Sequence, residues 1–169
     1  MIKTVIVMNG NGGVGKDTLC DMAEKHFNTR NISSITPIKE IAKICGWDGT
    51  KDDKSRKLLS DLKQVLSSYN DYPTKYILSI YKEFLNSEDD ILFVHIREGE
   101  EIDKFKSGVD TPIYTILVKR STMDSVQWGN TSDDQVENYQ YDFTFDNNRS
   151  LEEIEPIWIK FLSDIIMSN

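Results

Sequence analysis

Thr4-Val5-Ile6-Val7-Met8-Asn9-Gly10-Asn11-Gly12-Gly13-Val14-Gly15-Lys16-Asp17-Thr18 sets a β-branched apolar run directly before a cluster of glycines and a lysine. The length and branching of residues 4–8 predict a strand buried on both faces, as in a parallel sheet. Residues 16–28 predict a helix whose apolar face is Leu19, Met22, Ala23 and Phe27. The glycines therefore join a buried strand to the start of a helix.

Residues 10–16 satisfy the spacing G-x-x-x-x-G-K. Glycines let the backbone turn tightly and aim successive N–H groups at one point, and the helix N-terminus adds its positive end. Lys16 supplies a mobile charge. This arrangement predicts a cradle for the phosphates of a nucleoside triphosphate, ATP with Mg²⁺, built from Gly10, Asn11, Gly12, Gly13, Val14, Gly15, Lys16, Asp17 and Thr18. Asp17 stands where the motif usually has Ser or Thr. Its carboxylate either ligates the metal or serves the helix N-terminus alone.

Downstream, residues 32–35 predict a short strand. Helices are expected from Pro37 to Gly46, over residues 51–69 with Leu58, Leu59, Leu62, Val65 and Leu66 on one side, and from Pro73 through Tyr76, Ile77, Ile80, Tyr81 and Phe84. Strands at 91–96 and 112–118, a helix at 98–105, a short aromatic strand at 143–145 and a closing helix at 151–167 complete the pattern. That helix is expected to bury Leu151, Ile154, Ile157, Trp158, Phe161, Leu162 and Ile165. Residues 121–139 read as a polar loop. Alternating strands and helices predict a three-layer α/β fold in a single domain covering residues 1–169.

A net charge of −8, from 28 acidic and 20 basic side chains, argues against a nucleic acid polymer as partner. It leaves room for a local ring of cations around a nucleotide. Cys20 and Cys45 have no metal-ligand spacing. Cys20 reads as a core residue in its helix, and a reducing cytoplasm is the expected home. No stretch approaches a membrane span in length.

Gly15-Lys16-Asp17-Thr18 after a short strand and Gly10 resembles the start of a group of P-loop kinases. These are the phage-type deoxynucleoside monophosphate kinases and animal-type phosphomevalonate kinases, relatives of adenylate kinase. Pro37-Ile38-Lys39-Glu40 is similar to their helix opening near the acceptor, and Val94-His95-Ile96-Arg97 to their strand ending in Asp-x-Arg. Val118-Lys119-Arg120 resembles the strand leading to the lid, and Asp142 to Asn147 the closing strand and Asn turn. The resemblance implies a P-loop NTPase fold with a mostly parallel sheet, a helical acceptor-binding insertion over residues 36–88 and a short lid over 119–140. It implies transfer of the ATP γ-phosphoryl group to a small phosphate-bearing acceptor, with a (deoxy)nucleoside monophosphate ahead of phosphomevalonate or another phosphate ester. Lys16, Arg97 and Arg120 would offset charge on the transferring group. Lys39, Arg56 and Arg97 would hold the acceptor, and Asn147 the turn beside the adenine.

Each cation has an ordinary alternative. Arg97 either grips phosphate or pairs with Glu98, Glu100 or Glu101. Arg56 belongs to a charge-rich run that equally suits a solvated helix face, and the pair Lys119-Arg120 equally suits a strand reaching the surface. Lys39, in the first turn of a helix, is disfavoured there by the dipole unless an anion is bound. Trp47, Tyr69, Tyr72 and Tyr76 read as core, with stacking on an acceptor base as the alternative. Trp128, in the polar loop, either closes over the site or docks the loop. His95 replaces the usual Asp and is either a packed histidine or a site residue; His26 reads as a surface residue. His95 and an arginine-poor lid also suit a nucleotide-binding regulatory module with little turnover. An NTPase that powers a partner is disfavoured by the small size and by the lack of an Asp-ending hydrolytic strand.

Overall fold

In the computed structural model, which describes residues 2–121 and 136–167, β1 (Thr4–Asn9) is buried along its whole length. Its pleat separates two cores. Ile6 and Met8 enter a cluster on one side of the sheet with Leu19, Ala23, Trp158 and Leu162. Val5 and Val7 enter another with Ile77, Tyr81, Phe84, Ile102 and Phe105. A strand buried on both faces needs helices on both faces, so three layers follow from the run itself.

The chain continues through α1 (Lys16–Glu24), β2 (Thr29–Ser33), α2 (Thr36–Ile44), α3 (Asp53–Asn70), α4 (Tyr72–Leu85) and β3 (Ile91–His95). It closes with α5 (Gly99–Lys106), β4 (Ile113–Lys119), a 3₁₀ turn (Val136–Asn138), β5 (Phe143–Asp146) and α6 (Leu151–Met167). The five strands are ordered β2-β3-β1-β4-β5 and every pairing is parallel. β1 pairs with β3 on one side and β4 on the other, with Met8 opposite both His95 and Ile116. The carboxyl end of β1 is therefore the point where strand order reverses, the place where open α/β sheets bind ligands.

Several elements depart from the sequence expectation for identifiable reasons. α1 stops at Glu24 because the amides of Lys25, His26 and Phe27 turn back onto Met22 and Ala23 carbonyls. The second strand is Thr29–Ser33, a polar edge strand whose register on β3 runs from Thr29–Ile91 to Ser33–His95. The expected apolar side of α3 is not a buried face: Leu58 is 40% and Val65 62% exposed, while Ser55 and Lys63 are the buried residues of that helix. Leu151 and Ile157 lie outward on α6, whose inner face is Ile154, Trp158, Leu162, Ile165 and Ile166. α4, expected within the helical insertion, covers the sheet through Ile77, Tyr81 and Phe84, and α2 and α3 pack beside it.

Trp158 closes one core. It is fully buried, its ring packs against Phe93, Phe145 and Phe161, and its Nε1–H donates to the Leu19 carbonyl at 2.7 Å. That bond satisfies the indole and fixes α1, hence the turn preceding it.

Candidate active site

The turn between β1 and α1 is held from several directions. Asn9, 1% exposed, accepts from the Gly10 amide through Oδ1 at 2.8 Å. Its Nδ2 donates to the Arg97 carbonyl at 3.0 Å and to the Tyr141 hydroxyl at 2.8 Å. One side chain thus joins the turn, the end of β3 and the segment before β5. Gly10 has φ 142°, and a Cβ there would collide with the Val118 carbonyl. Gly15 has φ 92°, and a Cβ there would lie 2.5 Å from Asn147 Nδ2. Asn147 donates from Nδ2 to the Val14 carbonyl at 2.8 Å, while its own amide donates to the Lys119 carbonyl at 2.7 Å. Both glycines are therefore needed twice, for backbone conformation and for space. Asn147 acts on the shape of the turn itself, a role that its place in a closing Asn turn did not reveal.

Lys16 Nζ donates to the carbonyls of Gly10 at 2.5 Å and Asn11 at 3.0 Å, so the ammonium bridges both limbs of the turn. Gly12, Gly13, Gly15, Lys16, Asp17 and Thr18 line a cleft of about 920 Å³. Gly10, Asn11 and Val14 are not among its lining residues, and the Val14 side chain is buried in the core.

The same cleft extends over β2, α2 and α3. It is lined by Lys39, Arg56 and Arg97, the three expected acceptor ligands, and by Lys51 and Lys63, which sequence reasoning did not single out. With Lys16 these make six cations, of which Lys63 is paired with Glu98 and Glu101, beside the carboxylate of Asp17. On a chain of net charge −8, that concentration marks a surface for anions. Trp47 lines the cleft as well, its Nε1–H donating to the Thr50 carbonyl at 3.1 Å. Tyr69 is 81% exposed and Tyr72 and Tyr76 are half-buried, none of them lining the cleft.

Arg56 pairs with Asp53 at 3.4 Å across one helical turn. Glu98, a candidate partner for Arg97, is bonded by Lys63 at 2.5 Å. Arg120 follows β4 at the exposed surface and does not line the cleft. Most of the expected lid, with Trp128, lies outside the described residues.

Lys63 is the site's main surprise. Its side chain is 9% exposed and its ammonium reaches Glu98 at 2.5 Å, Glu101 at 2.6 Å and Ser34 Oγ at 2.9 Å. These contacts fasten α3 to the residue after β2 and to the start of α5. A mid-helix lysine beside Asp61 and Lys57 looks solvated in sequence, because its partners lie 29, 35 and 38 positions away. Replacing Lys63 by methionine removes the cation shared by the buried Glu101 and the partly exposed Glu98. The expected cost is about 3 kcal/mol, read by urea unfolding at pH 8.

Burial raises the Glu101 carboxyl to about 7 from an ordinary value near 4.5, against the opposing pull of Lys63. Its Oε1 is buried without a hydrogen-bond partner. In the unfolded chain Glu101 ionises near pH 4.5, whereas in the fold it keeps its proton to about pH 7. Its contribution to stability is thus present below pH 4.5 and lost as pH rises through 7. Glu101→Gln is expected to flatten the fall in unfolding free energy between those pH values, measured by denaturant titration across the range.

His95 and Cys20 meet beneath the turn, Sγ 3.7 Å from Nε2. Burial lowers the His95 pKa to about 4, so the imidazole is neutral near pH 7. Burial raises the Cys20 thiol far above its usual range, and the expected core role for this residue agrees with the structure. His26, exposed as expected, faces Glu155 at 3.4 Å.

No protein-family model matches the chain, and no curated protein matches it by sequence. Solved structures do match its fold. The tunicamycin resistance protein of Deinococcus radiodurans aligns over 95% of both chains at 12% identity, with a TM-score of 0.59. A sugar kinase from Janibacter aligns over 96% of this chain and 95% of its own, at 11% identity and a TM-score of 0.53. A gluconokinase from Sinorhizobium meliloti aligns over 98% and 94%, at 16% identity and a TM-score of 0.52. With the strand, glycine turn, lysine and helix in place at the head of a five-stranded parallel sheet, the family of folds is decided. The chain has the P-loop NTPase fold. In it the P-loop motif spans residues 10–16, and the other cations of the cleft stand on α2 (Lys39), before and on α3 (Lys51, Arg56, Lys63) and after β3 (Arg97).

Proposed function

We propose that this chain is an ATP-dependent kinase that transfers the γ-phosphoryl group to a small phosphorylated acceptor, with a (deoxy)nucleoside monophosphate as the favoured class. One observation carries the reading. A single cleft joins the P-loop to a second set of cations, Lys39, Lys51, Arg56 and Arg97. Its volume of about 920 Å³ is ample for a nucleotide and a second small ligand.

In this reading the ATP phosphates lie on residues 10–18 and the acceptor phosphate lies among Lys39, Arg56 and Arg97. An acceptor phosphate oxygen attacks the γ-phosphorus, the bond to the β–γ bridging oxygen breaks, and ADP leaves. A phosphate monoester is already anionic at neutral pH and needs no strong general base. Catalysis then rests on alignment and charge. Lys16 and Arg97 offset charge on the transferring group, and Arg120 joins them if the lid brings it inward. Asp17 and the Thr18 hydroxyl supply the oxygen donors that a hard divalent cation requires, so the residues present fit Mg²⁺ on that side. Such a cation, when bound, neutralises β- and γ-phosphate oxygens.

Nucleotide binding with little turnover is the second reading, favoured by His95 where the resembled kinases have Asp. ATP consumption measured with and without a panel of nucleoside monophosphates, phosphomevalonate and sugar phosphates separates the two. Turnover only with an acceptor supports the kinase. Tight binding with no turnover for any acceptor supports the regulatory module, and acceptor-independent hydrolysis would contradict both.

A further inference from the structure

His95 ends β3 directly beside the strand that feeds the P-loop, in register with Met8. Its ring lines the cleft with a side chain 13% exposed, and its Nε2 points to the Asp17 carboxylate at 4.0 Å. That separation is too long for a hydrogen bond, so the pair does not satisfy itself. The Asp17 carboxylate is 92% exposed. Cys20 Sγ lies 3.7 Å from Nε2 and 3.5 Å from Met8 Sδ, and with the thiol donating to Met8 the Nε2 lone pair is left for a ligand. An oxygen donor and an imidazole nitrogen thus flank one point at the head of α1, where nucleotide phosphates would supply further oxygens.

We propose that Asp17 and His95 form a mixed oxygen–nitrogen site for the nucleotide-bound divalent cation, a site that takes Mn²⁺ in preference to Mg²⁺. Mg²⁺ holds to oxygen donors and to its own waters, whereas imidazole suits the borderline first-row cations, of which Mn²⁺ best tolerates a site still dominated by oxygen. The inference rests on nucleotide binding at the P-loop but not on turnover or on the identity of the acceptor.

The test is pulsed electron paramagnetic resonance on Mn²⁺–ADP bound to the full chain, with calorimetric titration of ADP in Mn²⁺ and in Mg²⁺. A directly bound imidazole gives a ¹⁴N modulation that changes to the ¹⁵N pattern when the protein's histidines carry ¹⁵N. The modulation is expected to vanish in His95→Gln and His95→Asp, while ADP still binds. The preference for Mn²⁺ over Mg²⁺, expected to be at least about tenfold, should fall toward unity in His95→Asp. Two variants guard against one failing to fold. Saturable Mn²⁺–ADP binding without histidine nitrogen coupling, or coupling that persists in both variants, overturns the mixed site and leaves nucleotide binding intact. Failure of ADP to bind with either cation overturns the nucleotide reading and this proposal with it.

Discussion

Replacing Lys16 by alanine is expected to lower phosphoryl transfer by about 10²–10³-fold and to weaken ATP binding. The ammonium bridges the carbonyls of Gly10 and Asn11. Two effects combine in this variant: charge facing the β- and γ-phosphates is lost, and the limbs of the turn lose their bridge. Lys16→Arg separates them, since guanidinium keeps the charge but not the compact geometry. Single-turnover rates beside nucleotide titrations give both quantities. Near-normal transfer in Lys16→Ala would contradict the assignment of the turn.

Gly10→Ala is expected to be the most damaging small change to the fold of the site. At φ 142° an L side chain is strained, and the added Cβ meets the carbonyl of Val118 in β4, which is backbone and cannot swing aside. A loss of about 2–4 kcal/mol is expected, with loss of nucleotide binding in whatever fraction still folds. Gly46→Ala is the control. Gly46 also has positive φ, 98°, but a Cβ there meets nothing within 4 Å, so only backbone strain of about 1 kcal/mol should appear. Chemical denaturation of both proteins measures the difference. Equal losses would show that the Val118 contact is unimportant.

The phosphate turn was readable because all its parts are consecutive, and spacing along the chain nearly fixes spacing in the fold. The sheet was readable for a related reason. Val5 and Val7 face one core while Ile6 and Met8 face the other, and a run without alternation announces burial on both sides. β2 was placed three residues late because Thr29–Ser33 is a polar edge strand, so hydrophobicity pointed to the wrong end of the segment.

The cationic side of the cleft was readable only in part. Lys39, Arg56 and Arg97 all line it. Lys63, Glu98, Glu101 and Ser34 were missed because their bonds span different elements, and each side chain alone looks solvated. α3 misled in the opposite direction. Its leucines suggested an apolar face, yet the helix turns Ser55 and Lys63 inward, because a polar cleft rather than a core lies beneath it. Asn9 was masked by turn chemistry, which explains an asparagine near glycine without reference to what it holds, and Asn147 was expected beside the adenine rather than on the glycine turn. In the structure both hold the glycine turn, Asn9 from the end of β1 and Asn147 from the residue after β5.

Calorimetric titration of the purified chain with a non-hydrolysable ATP analogue, with Mg²⁺ and with Mn²⁺, is the most direct check on the nucleotide site. One site per chain is expected with at least one of the two cations, with affinity greatly reduced in Lys16→Ala. No measurable heat or displacement with either cation, in a chain shown to be folded, would contradict the account.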